Sequence, residues 1–127
     1  MNPASPREQR TPEPHPMRPM PAGNGPIILG ADVGGTKTWL AIFHAAGHDA
    51  AAPLELIRAE KFPSHTAASL EELVEKFLGR DRGSIDYACF GLPGPVTGTR
   101  ALLVNLPWAI DADQLTQRFG FRSTFLI

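Results

Sequence analysis

The sequence predicts an α/β fold in which helices pack on a mixed sheet, and three observations carry that expectation. Two apolar, β-rich stretches, Ile27–Leu29 and Trp39–Phe43, flank a tight Gly-Gly turn, so the ordered part of the chain opens as a strand pair. Leu70, Leu73, Val74, Phe77 and Leu78 then fall at i, i+3, i+4, i+7 and i+8, which is one face of a helix. The mostly apolar segment Ile85–Leu92 that follows is the kind of strand found in the middle of a parallel sheet.

Taken in order from Pro26, the first strand is expected over Ile27–Asp32 and the second over Lys37–Phe43. A Gly/Ala/Asp-rich turn over Ala45–Ala52 leads to a third strand, Leu54–Lys61. Ser69 and Glu72 are spaced as a capping box for the first helix and Gly79 stops it, which leaves the helix to cover one sheet face. After the fourth strand, Ile85–Leu92, the segment Arg100–Val104 is expected to extend an antiparallel arm from a proline turn. A second helix over Ala112–Phe119 has Asp111 and Gln114 as its cap signature and Gly120 as its stop. The apolar stretch Thr124–Ile127 reads as a last strand.

Residues 1–25 differ in kind, with proline at 3, 6, 12, 14, 16, 19 and 21 among arginine, glutamate and few apolar residues. Such a segment is expected to be a disordered leader, leaving 26–127 as the folded domain. It has no continuous apolar core of a secretory signal, and Glu8 and Glu13 argue against an organellar presequence, so a cytoplasmic address is the default. At 127 residues, 43% hydrophobic and 20% charged, the chain has room for one modest core. A formal net charge of −1 offers no basic field for nucleic acid or an anionic membrane. The single cysteine, Cys89, excludes an internal disulfide and reads as a buried strand residue.

The run Gly30-Ala31-Asp32-Val33-Gly34-Gly35-Thr36-Lys37-Thr38 carries the chemistry. Adjacent glycines allow φ > 0 and let backbone N–H groups approach an anion, and Thr36 and Thr38 can add hydroxyl donors. Asp32 would repel phosphate unless a metal ion or its water shell stands between them, so the combination implies a nucleotide bound with magnesium. A P-loop is excluded, because Thr36 follows Gly35 where lysine is required. A dinucleotide fingerprint is excluded as well, because a strand rather than a helix follows the glycines. An ordinary Gly-Gly hairpin without a ligand explains the run equally well when it is taken alone.

Further along stand Gly91-Leu92-Pro93-Gly94-Pro95-Val96 and Val104-Asn105-Leu106-Pro107-Trp108. With Asp32-Val33-Gly34-Gly35-Thr36, in this order and spacing over residues 27–127, they resemble bacterial glucokinases of the actin-like sugar-kinase superfamily. The resemblance implies a ribonuclease-H-like (actin-like ATPase) half-domain, incomplete at its C-terminus, and ATP-dependent phosphorylation of glucose or a related hexose. It implies that Asp32 organises Mg2+ through water, that Gly34, Gly35 and Thr36 cradle the phosphates of ATP, and that Gly94 and Asn105 stand near the sugar. Trp108 is expected to support the Asn105 loop. No residue here corresponds to the family's catalytic aspartate, which is expected beyond Ile127, so the resemblance implies an N-terminal fragment, inactive alone, and a separately encoded C-terminal half is one candidate partner. Phe125, Leu126 and Ile127 are then expected to expose an apolar strand.

The remaining polar residues form no site by themselves. His44, His48 and His65 lack the paired spacing of a metal-binding helix, and His15 falls in the leader. Asp81, Asp86, Asp111 and Asp113 are explained as turn, strand-edge and cap residues. A non-catalytic sugar- or nucleotide-binding regulator and another actin-like ATPase module are the alternative readings.

Overall fold

The computed structural model describes residues 25–47 and 53–127, so the expected leader up to residue 24 and positions 48–52 of the expected turn lie outside the described residues. Eight strands and two helices follow one another: β1 (Ile27–Val33), β2 (Lys37–Ala45), β3 (Leu54–Pro63), α1 (Leu70–Leu78), β4 (Tyr87–Gly91), β5 (Val96–Thr97), β6 (Arg100–Leu102), β7 (Ala109–Asp111), α2 (Ala112–Phe119) and β8 (Ser123–Leu126). Short 3-10 turns at Ser64–Thr66 and Gly79–Asp81 flank α1.

The main sheet has the order β3-β2-β1-β4-β8 and is mixed, as expected. β1 pairs antiparallel with β2, and β2 with β3, whereas β4 runs parallel to β1 and β8 parallel to β4. Strand alternation sends Leu29, Val33, Leu40, Ile42, Ala88 and Phe90 into one core with Leu70, Leu73, Val74 and Phe77 of α1 and Leu115 and Phe119 of α2. Both helices begin at the residues that the sequence marks. The Ser69 hydroxyl accepts from Glu72 N at 3.2 Å while the Glu72 carboxylate accepts from Ala68 N at 2.7 Å, and Asp111 accepts from Asp113 N and Gln114 N.

Register in β3 shifts by one residue opposite Ile42 and Phe43. Ile42 faces Arg58 and Phe43 faces Leu56, so Ile57 is an extra residue in the strand. Arg58 thereby lies on the helix side, where its guanidinium donates to Phe77 O at 2.6 Å and to the Asp81 carboxylate at 2.9 Å and stands 4.2 Å from the centre of the Phe77 ring. Asp81 is therefore half of a nearly buried ion pair closing the end of α1, which is more than the turn residue that the sequence suggests.

Three expectations are corrected. The fourth strand is shorter than Ile85–Leu92 and runs Tyr87–Gly91; just before it the Asp86 amide donates to Ile27 O at 2.8 Å while the Asp86 carboxylate accepts from Ile27 N at 2.8 Å, so the bonding there is shared with a side chain. The segment Arg100–Val104 is no simple arm: its strand stops at Leu102 and is the middle member of a second, antiparallel sheet, β5-β6-β7. Cys89 is only half-buried, because it belongs to the sheet face opposite the helices. That face also carries Trp39, Leu54, Leu56 and Phe125, all about half exposed. Of the last three residues, Phe125 and Ile127 are exposed as expected, while Leu126 packs partly on the core.

Candidate functional site

The carboxyl ends of the parallel strands β1 and β4 lie side by side, the position at which ligands bind open α/β sheets. Asp32 stands there, exposed, in register with Gly91 on β4 and Trp39 on β2, and Trp39 is in turn opposite Lys61 on β3. Lys61 Nζ lies 5.5 Å from the centre of the Trp39 ring. A row Lys61–Trp39–Asp32–Gly91 thus crosses the sheet next to the β1–β2 turn.

That turn is closed by Gly34 N–H donating to Lys37 O at 2.9 Å, which leaves Gly35 and Thr36 as its tip. Neither Gly34 nor Gly35 takes a positive φ, contrary to the expectation from the glycine pair. Glycine is required at 34 for space: a Cβ there would stand 2.7 Å from Lys37 O, a backbone atom that cannot retreat without opening the turn. Thr38 is also corrected as a phosphate donor. It has no exposed surface, and its hydroxyl lies 2.8 Å from that of Ser64.

Ser64, which the sequence did not single out, holds the turn from the end of β3. Its hydroxyl donates to Gly34 O at 2.7 Å and its amide to Thr36 O at 2.8 Å. None of these bonds uses the amides of Gly35 and Thr36.

The two motifs that are far apart in sequence meet at Gly35. A Cβ on it would lie 3.4 Å from Asn105 Cβ and 3.6 Å from Asn105 Nδ2. Asn105 itself is exposed, and its loop is pinned by Trp108, which is buried and donates its indole N–H to Ala67 O at 3.2 Å. Trp108 therefore anchors the loop, as expected, and offers no ring face to a ligand. Gly94 packs against Leu102 O of β6, where a Cβ would lie at 3.6 Å. The structure thus gathers Asp32, Gly34, Gly35, Thr36 and Asn105, while Gly94 lies in the turn between β4 and β5, against β6.

A groove of about 540 Å3, lined by Pro95, Arg100, Leu102, Ile110 and Gln114 among others, contains none of these five residues. Among its lining residues Asp111 has a carboxyl held below its ordinary pKa. Partial burial works to raise its pKa, but the amides of Asp113 and Gln114 and the Arg100 guanidinium outweigh this and lower it.

Among the described residues no helix is long and apolar enough to cross a membrane. The glucokinase family profile matches residues 29–127. The glucokinase of Nostoc punctiforme is 32% identical over 102 residues, covering 80% of this chain and 29% of that protein. The glucokinase of Yersinia enterocolitica is 27% identical over 99 residues, 78% of this chain and 29% of its own length. Among solved structures, glucokinase from an Antarctic psychrotroph superposes with a TM-score of 0.68 at 28% identity, covering 80% of this chain and 31% of that one. The chain thus spans about three tenths of the length of these relatives, with the same actin-like fold of mixed sheet and covering helices. A family match over residues 29–127, together with this fold, places the chain in the glucokinase family.

Proposed function

We propose that these residues form the phosphate-gripping wall and part of the sugar-side wall of an ATP-dependent glucokinase, which converts glucose to glucose 6-phosphate. The observation that carries the reading is the closeness of Asn105 to Gly35, where an added Cβ would meet the Asn105 side chain at 3.4 Å, which brings the phosphate turn beside the sugar-side loop at the ends of β1 and β4. In this reading the amides of Gly35 and Thr36 receive the phosphate oxygens, Gly34 keeps the turn tight, and the Asn105 amide orients a sugar hydroxyl. Gly94 shapes the turn behind that loop.

Magnesium fits the donor set. Asp32 is an exposed carboxylate beside the turn, and among the described residues there is no cluster of three or more His, Cys, Asp or Glu side chains that could cage an ion. A single carboxylate acting through water, with phosphate oxygens completing the shell, is how Mg2+ is commonly held. Bound there, the ion neutralises charge on the phosphates. The chain's own residues bind and align; the aspartate that would take the proton of the sugar hydroxyl corresponds to none of them, so the 127 residues transfer no phosphate alone.

The test is a titration of the 15N-labelled chain with Mg-ATP and, separately, with glucose. Mg-ATP is expected to move the amide signals of Gly35 and Thr36, and glucose that of Asn105. A chain whose turn amides ignore Mg-ATP would end this reading. Formation of glucose 6-phosphate by the 127 residues alone would disprove the inactivity.

A further inference from the structure

We infer that Ser64 and Thr38 are positioning residues for the phosphate turn, acting as a buried hydroxyl relay that fixes the Gly34 carbonyl so that the Gly35 and Thr36 amides stand ready for an anion. The inference rests on the phosphate reading above.

Proton counting fixes the direction of the relay. The Ser64 hydroxyl has one hydrogen and gives it to Gly34 O at 2.7 Å, so in its 2.8 Å contact with Thr38 it must accept. The chain of donation runs from Thr38 to Ser64 to Gly34 O. Both side chains have no exposed surface, so water cannot replace either bond. Burying two hydroxyls is unfavourable unless each makes its bond, whereas valine and alanine would fill the same space without that demand.

What the two hydroxyls secure is the turn. A two-residue hairpin tip normally matches the twist of its strands through positive-φ residues, and this tip has none. Its shape is instead imposed from β3. With Gly34 N–H on Lys37 O, Ser64 Oγ on Gly34 O and Ser64 N–H on Thr36 O, four backbone groups of the turn are committed. The amides of Gly35 and Thr36 are not among them. Donors held in place before the ligand arrives lose less freedom on binding, which favours affinity.

Amide-resolved titration of the chain with Mg-ATP tests this in Thr38→Val, which keeps the shape and removes the donor, and in Thr38→Ser, which keeps the donor. Thr38→Val is expected to weaken Mg-ATP about tenfold, and Thr38→Ser to stay within about twofold of the unaltered chain. Ser64→Ala, read in the same way, is the second variant should Thr38→Val fail to fold, and it is expected to weaken Mg-ATP at least as much. A merely structural role for Thr38 would not be rescued by serine, so equal loss in both Thr38 variants overturns the relay. Unaltered affinity in Thr38→Val or Ser64→Ala overturns it too, and leaves the phosphate reading standing. An unaltered chain that binds no Mg-ATP overturns both.

Discussion

Asn105, 70 positions further along the chain, lies so near Gly35 that a methyl group on Gly35 would meet Asn105 Cβ at 3.4 Å, which is van der Waals contact. Alanine at 35 therefore fits. Gly35→Ala is expected to change unfolding free energy by no more than about 0.5 kcal/mol. Gly35→Leu must push the Asn105 loop aside, and its amide spectrum is expected to change in both loops while the α1 signals stay put. Changes confined to the β1–β2 turn would refute the packing.

Gly34 is the stricter position. Its added Cβ would sit 2.7 Å from Lys37 O. Gly34→Ala is expected to cost roughly 1–3 kcal/mol by urea unfolding, because the obstructing atom is backbone and the closing hydrogen bond must lengthen. A stability equal to that of Gly35→Ala would contradict the geometry.

The Arg58–Asp81 pair is nearly buried, with side chains 13% and 9% exposed, and Arg58 also satisfies the Phe77 and Leu78 carbonyls. Asp81→Ala leaves a buried guanidinium without its counter-charge and is expected to cost about 3–5 kcal/mol. Adding Arg58→Met should recover part of this loss. A double variant less stable than Asp81→Ala would count against the account, with denaturant midpoints as the measurement.

Asp111 gives the chain a pH dependence of known sign. Its folded pKa is lowered below 3.8, so it binds a proton less readily folded than unfolded. Its contribution is complete above the unfolded value and is lost as pH falls through the folded one. Asp111→Asn keeps an acceptor for the α2 cap but cannot titrate. The variant's melting temperature is expected to fall less steeply with acid below about pH 4 than that of the unaltered chain.

How much was legible beforehand follows from how local each signal is. α1 and α2 announced themselves because Ser69, Glu72, Asp111 and Gly120 act within one turn of the helix they bound. The β1–β2 pair follows from the apolar stretches on either side of the Gly-Gly turn, and β4 from its mostly apolar run. The small sheet was missed apart from β6, since β5 and β7 have two and three residues, too few for a period to be seen. Asp32, Gly34, Gly35 and Asn105 stand out in the sequence through their motifs, but the need for glycine at 34 comes from the Lys37 carbonyl rather than from backbone conformation. Ser64 was invisible: a serine after a proline carries no sign of a carbonyl 30 positions earlier that it will bind.

The supernumerary Ile57 has an effect beyond its own strand. Because side chains alternate, that one residue puts Leu56 and Arg58, two positions apart in sequence, on opposite faces of the sheet. Without it Leu56 and Arg58 would face Phe43 and Ile42 as ordinary neighbours, and the bend and added twist of a bulge would be missing from the strand that carries the Ser64 hydroxyl to Gly34 O.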